Sequence, residues 1–319
     1  MRARRGALSV APIRTAVVGL GYFGSFHARH HAANPKATLV AVVDADPARR
    51  NLVAAEYGAA ALAGHRDLIG RVDAVSVTVP TSLHHAVAAD LLDAGIHVLV
   101  EKPIAATLEE GRDLVARADA SGAVLQVGHI ERFSPVFRAL AERAAAPRHI
   151  EAVRIAPWKG RAVDVDVVLD LMIHDIDLVL ALAGPDAAVT TVEATGAAVR
   201  GATNDWARAE VGFSTGLVAV IEASRIAPLS ERRMTVATAG GTFIADFAAR
   251  RLSDAAGAAT EFAASDNLAA EIDGFLDAAA GRGPVPVDGR AGNAALDLAE
   301  RIRHAIQNSP ARSSAGLVS

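Results

Sequence analysis

Apolar and polar positions along the first half of the chain follow a pattern typical of a parallel sheet covered by helices. From Arg14 to about Ala145, short β-branched runs alternate with alanine-rich stretches of helical period. This alternation predicts a doubly wound α/β domain. The predicted strands span residues 14–18, 38–43, 74–79, 97–100 and 124–127. The predicted helices span residues 24–33, 47–56, 82–94, 107–120 and 134–145.

The pattern changes after Pro147, where strands predominate. Strands are predicted at 150–156, 189–199, 207–213, 217–224, 234–238 and 242–247, and helices at 166–183, 267–280 and 290–307. Turn sequences at 214–216 and 239–241 predict hairpins, so this α+β domain should hold an open, mostly antiparallel sheet with helices on one face. We therefore expect flexible tails at 1–12 and 308–319, a first domain at 13–146 and a second at 147–307.

Composition narrows the classes of function. The 319 residues are 51% apolar and 21% charged, with a net charge of −4 and no cysteine. The charge and the lack of a cationic patch argue against nucleic acid as a partner, and the absence of thiols fits the cytoplasm. No apolar run approaches the roughly 18 residues of a membrane span, so no membrane partner is expected.

Three glycines follow the first predicted strand in the pattern G-x-G-x-x-G, at Gly19, Gly21 and Gly24. In a strand–turn–helix context this pattern binds the pyrophosphate of a dinucleotide at the helix N-terminus. Asp44 ends the second predicted strand, where an acid binds the adenosine ribose and repels a 2′-phosphate. NAD is therefore the expected cofactor, and the alternative is a glycine-rich turn without a ligand.

Polar residues also follow the later strands of the first domain. Glu101 and Lys102 come directly after one predicted strand, and Gly128 and His129 come directly after another. Ligands of open parallel sheets bind at the carboxyl ends of the strands, which favours a functional role over a solvated charge pair. The adjacent His84 and His85 follow a further strand, and one of them could face substrate or nicotinamide.

A polar stripe marks the first large helix of the second domain. Asp166, Asp170, His174 and Asp177 are spaced by 4, 4 and 3 residues on an otherwise apolar helix, so they should share one face that lines a cleft. An aspartate one turn from a histidine suits acid–base catalysis. A structural pair, or a metal site that includes His129, is the alternative, although nothing in the spacing requires a metal.

The motifs in this order resemble the glucose-fructose oxidoreductase / inositol dehydrogenase / rhizopine catabolism (Gfo/Idh/MocA) family of sugar oxidoreductases. The resemblance covers residues 14 to about 305 and rests on sequence segments at 19–24, 42–44, 79–85, 100–103, 128–135 and 169–177. Within the family these motif sequences are most similar to those of the nucleotide-sugar branch, the UDP-N-acetylglucosamine 3-dehydrogenases. Asp164, Asp166 and Met172 stand where many members have glycines, which implies a differently shaped pocket.

The resemblance implies an NAD-dependent enzyme that moves a hydride between nicotinamide and a sugar carbon, such as C3 of a UDP-N-acetyl amino sugar. Lys102 would orient the hydroxyl, His174 would accept its proton, and Asp170 would hold His174 or a neighbouring hydroxyl. The implied cofactor contacts are Gly19, Gly21, Tyr22, Phe23, Gly24, Asp44, Pro80, Thr81, His84, Glu101, Lys102 and Gly128. The implied substrate contacts are Lys102, His129, Arg132, Lys159, Arg161, Asp170 and His174.

Two alternatives to this activity remain at the level of sequence. One is a polyol or inositol dehydrogenase that acts on a free sugar. The cations Lys159 and Arg161 distinguish the two activities, because a nucleotide sugar has a diphosphate for them to bind and a free sugar does not. These two residues could equally belong to an exposed loop. The other alternative is an NAD-binding sensor without turnover. In either enzyme the second-domain sheet is expected to mediate self-association into a dimer or tetramer.

Overall fold

A computed structural model describes residues 11–158, 160 and 165–309 of the chain. Its described residues form two compact units. The first, called here the dinucleotide unit, runs to Gly128 and includes Leu268–Gly289. The second, called here the sheet unit, comprises His129–Asn267 and the chain from Arg290 onward. Among the described residues, no helix combines the length and apolar character needed to cross a bilayer.

The dinucleotide unit is built on a parallel sheet of six strands in the order β3-β2-β1-β4-β5-β6. This order is that of a Rossmann fold. The strands are β1 Ile13–Val18, β2 Ala37–Val43, β3 Ala60–Leu62, β4 Ala74–Val77, β5 His97–Glu101 and β6 Leu125–Gly128. The helices are α1 Tyr22–Ala33, α2 Pro47–Tyr57, α3 His84–Asp93, α4 Leu108–Ser121 and, from the later chain, α7 Asn267–Ala279.

Local sequence explains where these elements begin and end. The central strand β4 is buried at all four of its positions, as expected of a strand covered by helices on both faces. Thr107 caps α4 and exchanges hydrogen bonds with Glu110, and Gly122 ends the helix with a φ of 70°. These signals confirm the predicted doubly wound domain, although the short edge strand β3 was not predicted.

The sheet unit contains eight strands in the order β14-β13-β12-β11-β7-β10-β9-β8. Among the described strands of this sheet, only the β7–β10 pair is parallel, which confirms a mostly antiparallel sheet. The strands are β7 His149–Ile155, β8 Val189–Ala197, β9 Trp206–Phe213, β10 Val218–Ser224, β11 Glu231–Thr238, β12 Gly241–Asp246, β13 Arg251–Asp254 and β14 Ala259–Glu261. The helices are α5 Pro135–Arg143, α6 Ile173–Ala183 and α8 Gly289–Asn308.

One face of this sheet forms the core of the unit. In β9 alternate residues are buried, among them Ala209, Val211 and Phe213. They join apolar residues of α5, α6 and α8 in one cluster, including Leu140, Ile176 and Ile302. The period of two along the strand thus separates a helix-covered face from a face that carries exposed residues.

The two units divide the chain at points other than those expected from the sequence. The boundary lies at Gly128/His129 rather than after residue 146, because α5 packs on β12 and β13 of the sheet unit. Helix α7 was assigned to the second domain but belongs to the dinucleotide unit. There the Glu271 carbonyl accepts a hydrogen bond from Gln126 Nε2 (3.2 Å), and the Val127 N–H donates to the Val287 carbonyl (2.9 Å). Strands β13 and β14 were also missed.

Candidate active site

Two glycines of the fingerprint are required by the backbone around them. Gly19 has a φ of +91°, and a Cβ there would lie 2.8 Å from backbone atoms of Thr78 and Val79. A Cβ at Gly24 would collide with the carbonyl oxygen of Gly19 and lie 2.7 Å from Thr78 Oγ1. Thr78 Oγ1 in turn donates to the Gly19 carbonyl at 2.6 Å. The turn from β1 into α1 is therefore as tight as the predicted motif requires.

The third glycine leaves space for a ligand. Gly21 precedes the first residue of α1, and a Cβ built on it meets no heavy atom within 4 Å. The first N–H groups of a helix lack intrahelical partners and favour an anion. Tyr22 and Phe23 follow and are 74% and 45% exposed. The open backbone and the helix N-terminus together fit the pyrophosphate of a dinucleotide.

Asp44 lies at the end of β2 with its side chain 10% exposed. Its carboxylate accepts hydrogen bonds from the Leu20 N–H (2.6 Å) and the Asp46 N–H (2.8 Å). Arg49 Nη1 lies 3.6 Å from Asp44 Oδ2. A carboxylate has about four lone-pair positions, so two remain for ribose hydroxyls.

The histidines after β4 have different surroundings. His84 is buried, and its Nδ1 and Nε2 lie 2.9 Å from the Pro103 carbonyl and 3.0 Å from the Val79 carbonyl. Burial lowers the pKa of His84. Its ring thus ties together the turns that follow β4 and β5, whereas His85 pairs with Asp113 of α4 at 2.7 Å. Both ring nitrogens of His84 and the Nε2 of His85 thus contact the protein itself.

The turn after β4 begins with two other residues predicted to contact the cofactor. Pro80 is exposed, and the half-buried Thr81 begins a 3-10 turn over Thr81–Leu83. Because β4 ends at Val77, these residues lie near the carboxyl edge of the sheet, where Gly19 and Asp44 also follow their strands.

Glu101 is the last residue of β5, and Lys102 and Pro103 follow it at the same edge. Lys102 is half-buried and is joined to Pro103 by a cis peptide bond. The preceding residue, Glu101, accepts a hydrogen bond from His27 Nε2 at 3.0 Å. A Cβ at Gly128 would lie 3.0–3.2 Å from the Glu101 carboxyl atoms. Gly128, predicted as a cofactor contact, therefore also makes room for this carboxylate.

The polar helix of the sheet unit does not present the single stripe expected from its spacing. Val168–Met172 forms a π-helical turn, and the regular helix α6 begins only at Ile173. A π-helical turn inserts extra residues per turn, so positions spaced by four no longer lie on one line. Asp170 and His174 are both half-buried, whereas Asp166 and Asp177 are buried.

The two buried aspartates have structural partners. Asp166 accepts from the Val168 N–H (2.9 Å) and from Asn204 Nδ2 (2.8 Å), which fixes the start of the helix. Asp177 receives both Nε and Nη2 of Arg132, at 2.7 and 2.8 Å. The buried His129 has its Nδ1 4.0 Å from Asp177 Oδ2. The prediction that all four stripe residues line a cleft is thus wrong for Asp166 and Asp177.

Arg132 and His129 were predicted as substrate contacts, and their observed partner is Asp177. Lys159 and Arg161, the other predicted cations, lie outside the described residues.

Sequence reasoning missed a buried ionic group beside the helix. Arg154 donates to Asp175 Oδ2 at 2.7 Å and to Glu131 Oε1 at 2.9 Å. Burial raises the pKa of Asp175, against the lowering by Arg154. Because Asp175 is adjacent to His174, this group fixes the first turn of α6. The three residues lie in separate segments of the chain, so their spacing gave no sign of it.

A second missed group lies in the dinucleotide unit. His27, Glu101 and Glu271 have side-chain N and O atoms within 4.8 Å of one another. His27 and His31 are four residues apart on α1 and both are buried, a spacing that is visible in the sequence. Glu271 offered no such sign.

Comparisons with known proteins agree with this two-unit fold. Residues 13–129 match the model of the oxidoreductase family with an NAD-binding Rossmann fold, and residues 141–244 match the GFO/IDH/MocA C-terminal domain. UDP-N-acetylglucosamine 3-dehydrogenase of Acidithiobacillus ferrooxidans is 39% identical over 92% of this chain and 97% of its own length. Myo-inositol dehydrogenase Hyg17 of Streptomyces leeuwenhoekii is 35% identical over 58% of this chain and 59% of its own.

A solved structure of the Acidithiobacillus ferrooxidans enzyme is also similar to this chain. It superimposes with a TM-score of 0.89 at 39% identity and covers 93% of this chain and 99% of that one. The matched regions include the glycine fingerprint, Lys102 and the helix that carries Asp170 and His174. The chain is therefore an NAD-binding oxidoreductase and belongs to the Gfo/Idh/MocA family.

Proposed function

We propose that this chain is an NAD-dependent dehydrogenase that oxidises C3 of a UDP-linked N-acetyl amino sugar. The observation that carries the proposal is the 39% identity, over 92% of this chain, to a relative named UDP-N-acetylglucosamine 3-dehydrogenase. That similarity spans both units. The inositol dehydrogenase from Streptomyces leeuwenhoekii is similar over only 58% of this chain.

The dinucleotide unit supports the cofactor part of the proposal. Gly21 and the N-terminus of α1 would hold the pyrophosphate, and Asp44 would accept hydrogen bonds from the adenosine ribose. When bound, NAD supplies a nicotinamide ring that takes up the hydride and its electron pair. The unit's own contribution would be to hold Lys102 at the carboxyl end of β5, the edge of a parallel sheet at which ligands bind.

Three side chains would carry the chemistry of the sugar. Lys102 would donate a hydrogen bond to the C3 oxygen and stabilise its developing negative charge. The imidazole of His174 would accept the hydroxyl proton as the C–H hydride leaves, so that a C=O bond replaces C–H and O–H. Asp170, one turn before His174, would orient this ring or bind a neighbouring hydroxyl. Both residues are half-buried, which leaves them accessible to a ligand.

The test compares substrates and variants in the same assay. Purified protein is incubated with NAD and UDP-N-acetylglucosamine, and reduction of nicotinamide is followed by absorbance. We expect turnover with the UDP-sugar and much less with N-acetylglucosamine or myo-inositol. Lys102→Met and His174→Asn should each lower kcat by about 10²–10⁴-fold, with an NAD Kd nearly unchanged.

Matched controls are available in the same chain. Lys36→Met removes a lysine that pairs with Asp273 and Asp277, and His304→Asn removes an exposed histidine of α8. Both should retain turnover. Faster oxidation of myo-inositol would favour a free-sugar dehydrogenase, and NAD binding without turnover for any sugar would favour a sensor. Full activity of both site variants would refute the assigned roles.

The sheet unit has an outer face that supports a proposal of self-association. Helices cover one face of its sheet, whereas Glu193, Arg208 and Glu210 are exposed on the other. We infer a dimer or tetramer assembled through this outer face, in the cytoplasm where NAD and nucleotide sugars are found. Light scattering coupled to size-exclusion chromatography would measure the mass, and a monomer would contradict the inference.

A further inference from the structure

A buried cluster in the dinucleotide unit joins three elements that are distant in sequence. It consists of His27 on α1, Glu101 at the end of β5 and Glu271 on α7, with their side-chain N and O atoms within 4.8 Å of one another. His27 and Glu271 are fully buried, and the Glu101 side chain is 17% exposed. None of the assigned cofactor or substrate roles accounts for His27 or Glu271.

The position of Glu101 is determined on two sides. His27 Nε2 lies 3.0 Å from Glu101 Oε1, and since a carboxylate only accepts, the imidazole must donate. On the other side, the backbone of Gly128 leaves room where a Cβ would lie 3.0 Å from the same oxygen. The carboxylate is therefore held between α1 and the end of β6.

Glu271 adds a second carboxylate to this buried place. Its helix is attached to β6 through Gln126 Nε2, which donates to the Glu271 carbonyl at 3.2 Å. Two carboxylates near one imidazole repel each other unless protons lie between them. One side-chain oxygen of Glu271 lies within 4.8 Å of the His27 ring nitrogen. A nearby negative charge favours the positive end of the imidazole N–H dipole, so Glu271 should strengthen the hydrogen bond that His27 donates to Glu101.

Pro103, which follows Lys102, is also in contact with a buried histidine. The carbonyl of Pro103 lies 2.9 Å from Nδ1 of the buried His84, which belongs to α3. Lys102 therefore stands between two residues that buried histidines of different helices contact. This arrangement restricts the backbone on both sides of the lysine.

We propose that His27 and Glu271 are positioning residues for Lys102. His27 holds the Glu101 carboxylate and Glu271 strengthens that hydrogen bond, which fixes the turn Glu101–Pro103 in the orientation from which Lys102 reaches the substrate hydroxyl. The inference rests on the proposed function, in which Lys102 contacts that hydroxyl. Misplacement of a reacting group by about 1 Å can cost about 10²-fold in rate, so loss of this hold should be visible in kcat.

The first experiment replaces His27 in the whole 319-residue chain, with NAD and UDP-N-acetylglucosamine as substrates. His27→Ala should lower kcat by about tenfold to a hundredfold. His27→Gln places an amide N–H donor where the imidazole Nε2 was and should recover most of the rate. The NAD Kd should change by less than about threefold, because Gly21 and Asp44 are untouched.

His31→Ala is the matched control for His27→Ala. His31 lies one turn further along the same helix, is equally buried and is bonded to Ser76 Oγ at 2.8 Å rather than to Glu101. Its loss should reduce stability similarly and leave kcat within about twofold. Equal losses of kcat in the two variants would overturn the proposal, since they would reflect general damage to the helix.

A double-mutant cycle separates this proposal from the proposed function. Lys102→Met alone tests whether the lysine is catalytic, whatever the role of His27. If His27 acts through Lys102, His27→Ala should cause little further loss in the Lys102→Met enzyme. Full additivity of the two losses would overturn the positioning role while leaving the catalytic role of Lys102 intact.

Glu271→Gln is the second variant, and it keeps the shape of the side chain. It should lower kcat by about tenfold with an unchanged NAD Kd; an unchanged kcat would remove Glu271 from the proposal. Elemental analysis of the purified enzyme tests the competing explanation of a metal ion. A stoichiometric divalent metal that His27→Ala releases, together with loss of rate on chelation, would overturn the hydrogen-bonded arrangement.

Discussion

Acidification is expected to destabilise the dinucleotide unit through His31, and the size of the effect follows from the structure. Burial, reinforced by the positive charges that His27 and His30 can carry, lowers the pKa of His31 to about 3. An unfolded histidine has a pKa near 6.5. Below that pH the unfolded chain binds a proton that the folded unit excludes, so stability falls as the pH is lowered from about 6.5 towards 3.

The loss at pH 5 can be worked out from these two values. At pH 5 the unfolded histidine lies about 1.5 pH units below its pKa, and each unit corresponds to about 1.36 kcal/mol. His31 should therefore remove about 2 kcal/mol of stability between pH 7.5 and pH 5. Burial also lowers the pKa values of His84 and His97, and these add to the same loss in every variant that retains them.

The perturbation is His31→Gln, which removes the titrating group. Native-state hydrogen exchange read by mass spectrometry on peptides of α1 gives the free energy of opening of this unit at each pH. The difference between pH 7.5 and pH 5 should be smaller in His31→Gln by about 2 kcal/mol. His304→Gln, at an exposed site on α8, should leave it unchanged. An identical pH dependence in wild type and His31→Gln would refute the reasoning.

Three further outcomes concern the cofactor site and its support. Gly24→Ala should abolish measurable NAD binding in a fluorescence titration, because its Cβ would collide with the Gly19 carbonyl; Gly64→Ala, whose Cβ meets only a side-chain oxygen at 3.8 Å, should bind normally. Asp44→Ala should weaken NAD by about tenfold to a hundredfold and narrow its advantage over NADP in the same titration. Thr107→Ala should lower the stability of the dinucleotide unit by about 1 kcal/mol in hydrogen exchange, because it removes the cap of α4.

The sequence was informative wherever function follows from local backbone requirements. Gly19 and Gly24 were predictable because a tight strand-to-helix turn admits no side chain at either position. The placement of Asp44 and Lys102 at the carboxyl ends of strands was predictable because they directly follow buried strands of a parallel sheet. In each case the structural requirement and the residue that meets it lie in one short segment of the chain.

The sequence was less informative where packing decides. The spacing suggested one polar stripe that includes Asp166 and Asp177. In the structure a π-helical turn at Val168–Met172 interrupts the helical period, and the two aspartates are buried against Asn204 and Arg132. The partners lie 38 and 45 residues away in sequence. Such pairs depend on the tertiary fold, and helical period alone carries no information about them.

Helix α7 has a consequence for how the protein is made. This helix, Asn267–Ala279, packs in the dinucleotide unit, although the last strand of that unit ends at Gly128, far earlier in the chain. During synthesis the ribosome must complete the whole of β7 to β14 before Glu271 can join His27 and Glu101. A fragment that stops near Gly128 would expose the surface that α7 covers. An internal deletion that joins Gly128 to Leu268–Gly289 through a linker is the rational route to an isolated NAD-binding module.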